Sequence, residues 1–155
     1  MLDGLPLRPQ IFRKRFSALT YAHHRARDRR DLILRIHETL LARELQRCRR
    51  LLHERKNVRA WWEQDDEKED LDDINRALAM FDVLGYYVAK RWVSEADAIE
   101  LWGESLIRAW QAGRSYIEWR ESGEDRRLWP YFQELADVAE KKIARERAIG
   151  RGTVP

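Results

Sequence analysis

The chain has 155 residues, of which 44% are hydrophobic and 37% charged, with a net charge of +3. That length suits one domain with a real core, and the apolar share is too high for a disordered chain despite the charge. With a single cysteine, Cys48, an internal disulfide, a CxxC metal site and a dithiol redox centre are all excluded.

Residues Met1 to Gln10 carry Gly4, Pro6 and Pro9 and read as an irregular lead-in. No Gly or Pro follows until Gly85, and helical spacing dominates throughout. Ile11, Phe12, Phe16 and Leu19 form a first apolar stripe. Asp28 or Asp31 is positioned to cap a fresh helix. From there Leu34, Leu41, Leu45, Cys48 and Leu52 recur at helical spacing, widened by Ile33, Ile36, Leu40 and Leu51. The pattern predicts one long amphipathic helix over Asp31–Lys56.

Trp61-Trp62 opens an acidic connection running to Asp70. A third helix follows, with Leu71, Ile74, Leu78, Phe81 and Val88 on its buried face. Gly85 lies inside it. An interior glycine costs ~1 kcal/mol relative to alanine, so its expected purpose is the close approach of another helix. Ser94-Glu95-Ala96-Asp97 resembles a capping box, with Asp in the position usually held by Glu. Behind it Ile99, Trp102, Leu106, Ala109, Trp110, Gly113, Tyr116 and Ile117 fall in one register. A polar turn around Gly123 leads to Pro130, which suits the first turn of a last helix. Phe132, Leu135, Ala139 and Ile143 form that helix's stripe. No strand alternation and no repeat is present. The expected architecture is an all-α bundle of four to five helices over residues 11–148, with a tail over 149–155.

The run Phe81-Asp82-Val83-Leu84-Gly85, then Arg91-Trp92-Val93-Ser94, then Leu101-Trp102-Gly103-Glu104 and Trp110 resembles a bacterial all-helical family known only as a domain of unknown function. Glu44 to Leu52 is similar to the helix that precedes these motifs in that family. The resemblance spans about Asp31 to Ala144. It implies a helical fold and supplies no catalytic residues. Many members begin with a membrane helix, a pattern from which the basic N-terminus here departs.

Chemistry-bearing patterns are sparse. His23-His24, His37 and His53 lack the i, i+4 spacing of zinc-binding helices. The acidic run from Glu63 to Asp70 lacks the central Gly of a calcium loop. Glu100 and Glu104 share a helix face without the Glu-x-x-His pairs of di-iron bundles, and Glu104 is expected to meet Arg108 at i+4. Cys48 sits on an apolar stripe and reads as core. No nucleotide-binding loop or nucleophile elbow occurs, so neither an enzyme nor a cofactor is implied. No apolar run approaches a membrane span, no signal peptide is visible, and the expected compartment is the cytoplasm.

Charge is unevenly placed. Arg8 to Arg59 holds 16 basic and 5 acidic residues, whereas Glu63 to Asp82 holds 2 basic and 9 acidic. Arg13, Lys14, Arg15, Arg25, Arg29, Arg43, Arg47 and Arg50 are the candidate surface for an anionic partner, since guanidinium forks match carboxylate and phosphate. Trp61 and Trp62 are flanked by charge and are the candidate exposed aromatic contact. The leading expectation is a non-enzymatic protein-interaction or regulatory module that self-associates. The alternative is nonspecific nucleic-acid binding through the basic N-terminal helices.

Overall fold

The computed structural model describes the backbone of residues 9–55 and 68–151, and the side chains of residue 24 and of 26–55 and 69–149. Five helices result: α1 (Pro9–Leu41), α2 (Arg43–Arg55), α3 (Lys68–Ala89), α4 (Glu95–Ser122) and α5 (Pro130–Arg151). No strand occurs among the described residues. The all-α bundle is as expected. Trp61 and Trp62 lie outside the described residues, as do the ends of the chain up to residue 8 and beyond 151.

α3, α4 and α5 pack against one another, and α2 lies across α3 and α4. Phe81 of α3 stacks on Phe132 of α5 with ring centroids 5.2 Å apart, and Trp110 of α4 meets Phe132 edge-on at 5.9 Å. Ile74, Leu78, Leu84, Leu106 and Ile117 complete a core closed to solvent. Gly85 does what its position predicts. A Cβ there would sit 2.3 Å from the Tyr131 carbonyl oxygen, so the α5 backbone touches α3 at that point.

Three helix ends follow from local chemistry. Ser94 Oγ accepts the Asp97 N–H at 3.1 Å and caps α4. Pro130 opens α5, where its missing N–H costs nothing. α3 ends in a Schellman turn: Trp92 N–H donates to the Tyr87 carbonyl and Arg91 N–H to the Val88 carbonyl, both at 2.9 Å. Arg91 takes the left-handed residue, φ 59°, where glycine is usual. The Trp92 and Tyr87 rings supply the accompanying apolar contact at 5.5 Å.

The first half departs from the expected pattern. α1 runs through Asp28 and Asp31 without a new start, begins at Pro9 inside the expected lead-in, and stops at Leu41. The expected helix over Asp31–Lys56 is broken by a bend at Ala42, whose N–H reaches back only three residues, to the Thr39 carbonyl at 3.2 Å. One contact favours the break, and a second, longer one meets a carbonyl at the end of α1. Thr39 Oγ1 donates to the Arg35 carbonyl at 2.7 Å, a back-bond that bends helices. Arg49 Nη1 reaches the Leu40 carbonyl, at 3.5 Å. The bend shifts the register, so Ile36 and Leu40 are buried while Leu34 and Leu41, expected on the stripe, are 54% and 53% exposed. At the other end α5 continues to Arg151, through the first three residues of the tail expected over 149–155.

Candidate functional site

The break at Ala42 sets α1 and α2 at an angle, and a cleft of about 620 Å³ opens where they face α4. Leu41 of α1 and Leu101 of α4 stand at its apolar wall, Leu101 being 49% exposed. Trp102 lies beside them, almost fully buried, with its ring 6.4 Å from that of His37. α2 contributes Arg49, Arg50, His53 and Glu54.

Arg49 is the unusual member. Leu45, Cys48 and Leu52 put the apolar face of α2 into the core, and Arg49, one turn after Leu45 and next to Cys48, goes partly in with them. Its Nη2 donates to Ser105 Oγ at 3.2 Å, and its guanidinium carbon lies 5.6 Å from the centre of the Phe81 ring. No carboxylate forms an ion pair with it among the described residues. Burial, and then the like charge of Arg108, push its pKa below the ordinary guanidinium range. Its Nε–H is buried without a partner, and so is the indole N–H of Trp102. Each unsatisfied buried donor costs about 1–3 kcal/mol, more for a charged group.

The other partly buried arginines, Arg55 and Arg120, have acids, as do several exposed ones. Arg29 meets Asp97 at 2.7 Å, tying α1 to the first turn of α4. Arg55 meets Asp70 at 2.8 Å, and Arg76 pairs with Glu44. The contrast singles out the cation in the cleft.

A second cleft, of about 820 Å³, shares Leu101, Trp102 and Ser105 with the first and continues between α4 and α5. It is crossed by the Glu104–Arg147 ion pair. Glu104 thus reaches α5 rather than its expected i+4 partner. Arg108 Nε instead donates to the Glu104 backbone carbonyl at 3.2 Å.

The family model described as Domain of unknown function (DUF4760) matches residues 11–138. The chain belongs to this family. That is the outcome the resemblance implied, an uncharacterised domain family spanning most of the chain. No curated protein and no solved structure matches. The match runs from the start of α1 into α5, so the DUF4760 domain includes every wall of the first cleft.

Of the eight basic residues predicted as a surface of the DUF4760 domain, the described side chains are those of Arg29, Arg43, Arg47 and Arg50. Arg13, Lys14, Arg15 and Arg25 lie on α1, but their side chains fall outside the described residues. Arg29 is paired with Asp97, and Arg47 leans toward Asp73 of α3 at 3.7 Å. Arg43 is exposed. Arg50 is also exposed and lines the cleft. Sequence reasoning missed Arg49 and Ser105. The available signal was an arginine at the edge of the apolar arc set by Leu45, Cys48 and Leu52. Cys48 itself is fully buried, as expected of a core residue, and burial followed by the charge of Asp73 raises its pKa. Among the described residues no three His, Cys, Asp or Glu side chains gather as a metal site, and no helix is long and apolar enough to cross a membrane.

Proposed function

We propose that this DUF4760 domain is a non-enzymatic, cytoplasmic protein-interaction module. Its working surface is the outer face of α1 together with the rim of the first cleft. The partner is a protein segment with an apolar row and acidic flanks.

One observation carries this reading: Leu34 and Leu41 are 54% and 53% exposed, two turns apart on one face of α1. Arg27 and Arg30 share that face at helical spacing and are exposed as well. Leu101 extends the apolar row onto α4. Leucines flanked by arginines match an amphipathic acidic helix, whose apolar anchors fill the row while its carboxylates meet the rim. A second copy of the chain is one such partner, since residues 63–82 hold 9 acidic side chains.

Nucleic-acid binding through Arg43, Arg47 and Arg50 is the weaker reading. A phosphate backbone makes no use of exposed leucines, and Arg29 and Arg47 already face carboxylates.

Affinity capture from native cells tests the choice, with wild type and the Leu34→Glu/Leu41→Glu variant, with and without nuclease, at low and high salt. The expected result is a protein that survives nuclease and is lost with the double variant. Light scattering then tells whether that protein is a second copy. Nucleic acid captured at low salt, unaffected by the leucine changes and abolished by reversing Arg43, Arg47 and Arg50 to Glu, overturns the reading.

A further inference from the structure

We propose that the cleft between α2 and α4 is a binding site for a carboxylate carried on an apolar body, with Arg49 as its anchor. The inference concerns the floor of the cleft rather than the outer face of α1, and it stands if docking through Leu34 fails.

Arg49 has more donors than partners. A guanidinium has five N–H donors. Here one reaches the Leu40 carbonyl at the long distance of 3.5 Å and one reaches Ser105 Oγ at 3.2 Å. The Nε–H has no partner, and neither has the indole N–H of Trp102, which lines the same cleft and is 5% exposed. A stabilising role for Arg49 would use a carboxylate, as Arg29, Arg55 and Arg76 do. Instead this cation is held in a cleft beside a second arginine, Arg50, while the carboxylate that lines the cleft, Glu54, makes no ion pair with it. An unpaired, partly buried cation with spare donors is costly in the free protein and is compensated by an anion.

The form of the site selects the anion. A carboxylate has one charge and two oxygens that match the Nε/Nη edge of a guanidinium side by side. The tetrahedral, fully polar body of a phosphate has no use for the walls formed by Leu40, Leu41, Leu101 and Trp102. A ligand with an apolar group behind its carboxylate fills those walls. The Nε–H is closed to solvent in the free chain. Binding therefore requires the guanidinium to turn about the Cδ–Nε bond, exchanging its bonds to the Leu40 carbonyl and Ser105 Oγ for those to the ligand. The carboxylate can come from a free organic acid or from a Glu or Asp side chain of a docked protein.

The two orphan donors are also the reporters. Arginine Nε–H and tryptophan Nε1–H give resolved signals in proton–nitrogen NMR spectra, assigned here with Arg49→Lys and Trp102→Phe. The whole chain is titrated with sodium benzoate, with a blocked Leu-Leu-Glu-Leu peptide and with sodium phosphate. The expected result is a saturable shift of the Arg49 Nε–H and Trp102 Nε1–H signals with benzoate or the peptide, and none with phosphate at equal ionic strength. Arg49→Gln should weaken that binding at least about tenfold, the loss of a charge-assisted contact. Response to benzoate identifies a free organic acid as a sufficient ligand, and response to the peptide alone identifies a protein side chain. Saturation by phosphate alone, or no shift with any probe, overturns the proposal.

A second variant separates binding from structure. Arg49→Met keeps the volume and removes the charge. If Arg49 is held for a ligand, the variant melts a few degrees higher than wild type without ligand, because a binding residue is kept at a cost to stability. A lower melting temperature would mean that Arg49 serves the fold, and would count against the site.

Discussion

Asp82 of α3 accepts the Phe132 N–H of α5 at 3.0 Å, one turn before the point where Gly85 lets the Tyr131 backbone touch α3. The start of α5 has no Ser, Thr, Asp or Asn in the capping position, which Trp129 occupies. The carboxylate that satisfies its orphan donor therefore comes from another helix. A capping bond and a backbone contact thus fix the seat of α5, and through it the α4 face that walls both clefts.

Gly85→Ala tests the contact. A methyl 2.3 Å from a carbonyl oxygen cannot be absorbed by a side-chain turn, because the obstacle is backbone. α5 must move as a unit. Overpacking of this kind costs about 1–3 kcal/mol or more, which exceeds the ~1 kcal/mol of helix propensity that alanine adds. Urea unfolding should show a lower midpoint.

Asp82 itself is testable by substitution and by pH. Asp82→Ala removes the cap and should cost about 0.5–2 kcal/mol. Asp82→Asn keeps an acceptor for the Phe132 N–H. Burial raises the pKa of Asp82, partly offset by its bonds from Phe132 and Tyr131. For an acid whose folded pKa is raised, the stability it contributes is present below its unfolded pKa and is lost as pH rises through the folded value. The stability of wild type relative to Asp82→Asn should therefore fall as pH rises from about 3.9, the ordinary aspartate value, through the raised one. A difference that grows with pH in that window would contradict it.

Arg91 occupies the left-handed position of the α3 Schellman turn at φ 59°. A non-glycine residue there bears a penalty of roughly 1–2 kcal/mol, partly returned by the freedom glycine gains on unfolding. Arg91→Gly should stabilise the chain by about 0.5–1 kcal/mol in thermal or urea melts, and Arg91→Ala should not.

The register of α1 gives a direct contrast. Leu34→Glu and Leu41→Glu should each change stability by no more than ~0.5 kcal/mol, as surface substitutions do. Leu40→Ala should cost about 2–5 kcal/mol, because Leu40 is 2% exposed. Equal losses at positions 40 and 41 would restore the unbroken helix expected from spacing.

The parts legible in the sequence were those set by local chemistry. Ser94, Gly85 and Pro130 each have one residue-level reason for their position, and each does in the structure what that reason predicts. The break at Ala42 was not legible. No Gly or Pro marks it, and the Thr39 back-bond that accompanies it is not a feature that apolar spacing registers. Periodicity counted across an unseen bend therefore assigned Leu34 and Leu41 to the core. The cleft followed the same limit. Arg43, Arg47 and Arg50 stood out by charge and spacing, whereas Arg49 is distinguished by partial burial without a carboxylate, which only a three-dimensional arrangement reveals.

The measurement that bears most directly on the account places a photo-crosslinking benzoylphenylalanine at position 34, on the outer face of α1, and in a second protein at position 140, which is exposed on α5. Both proteins are irradiated in native cells. A covalent adduct to a protein at position 34 and none at position 140 is the predicted result. No adduct at 34, or an adduct to nucleic acid there, would contradict an interaction module working through α1.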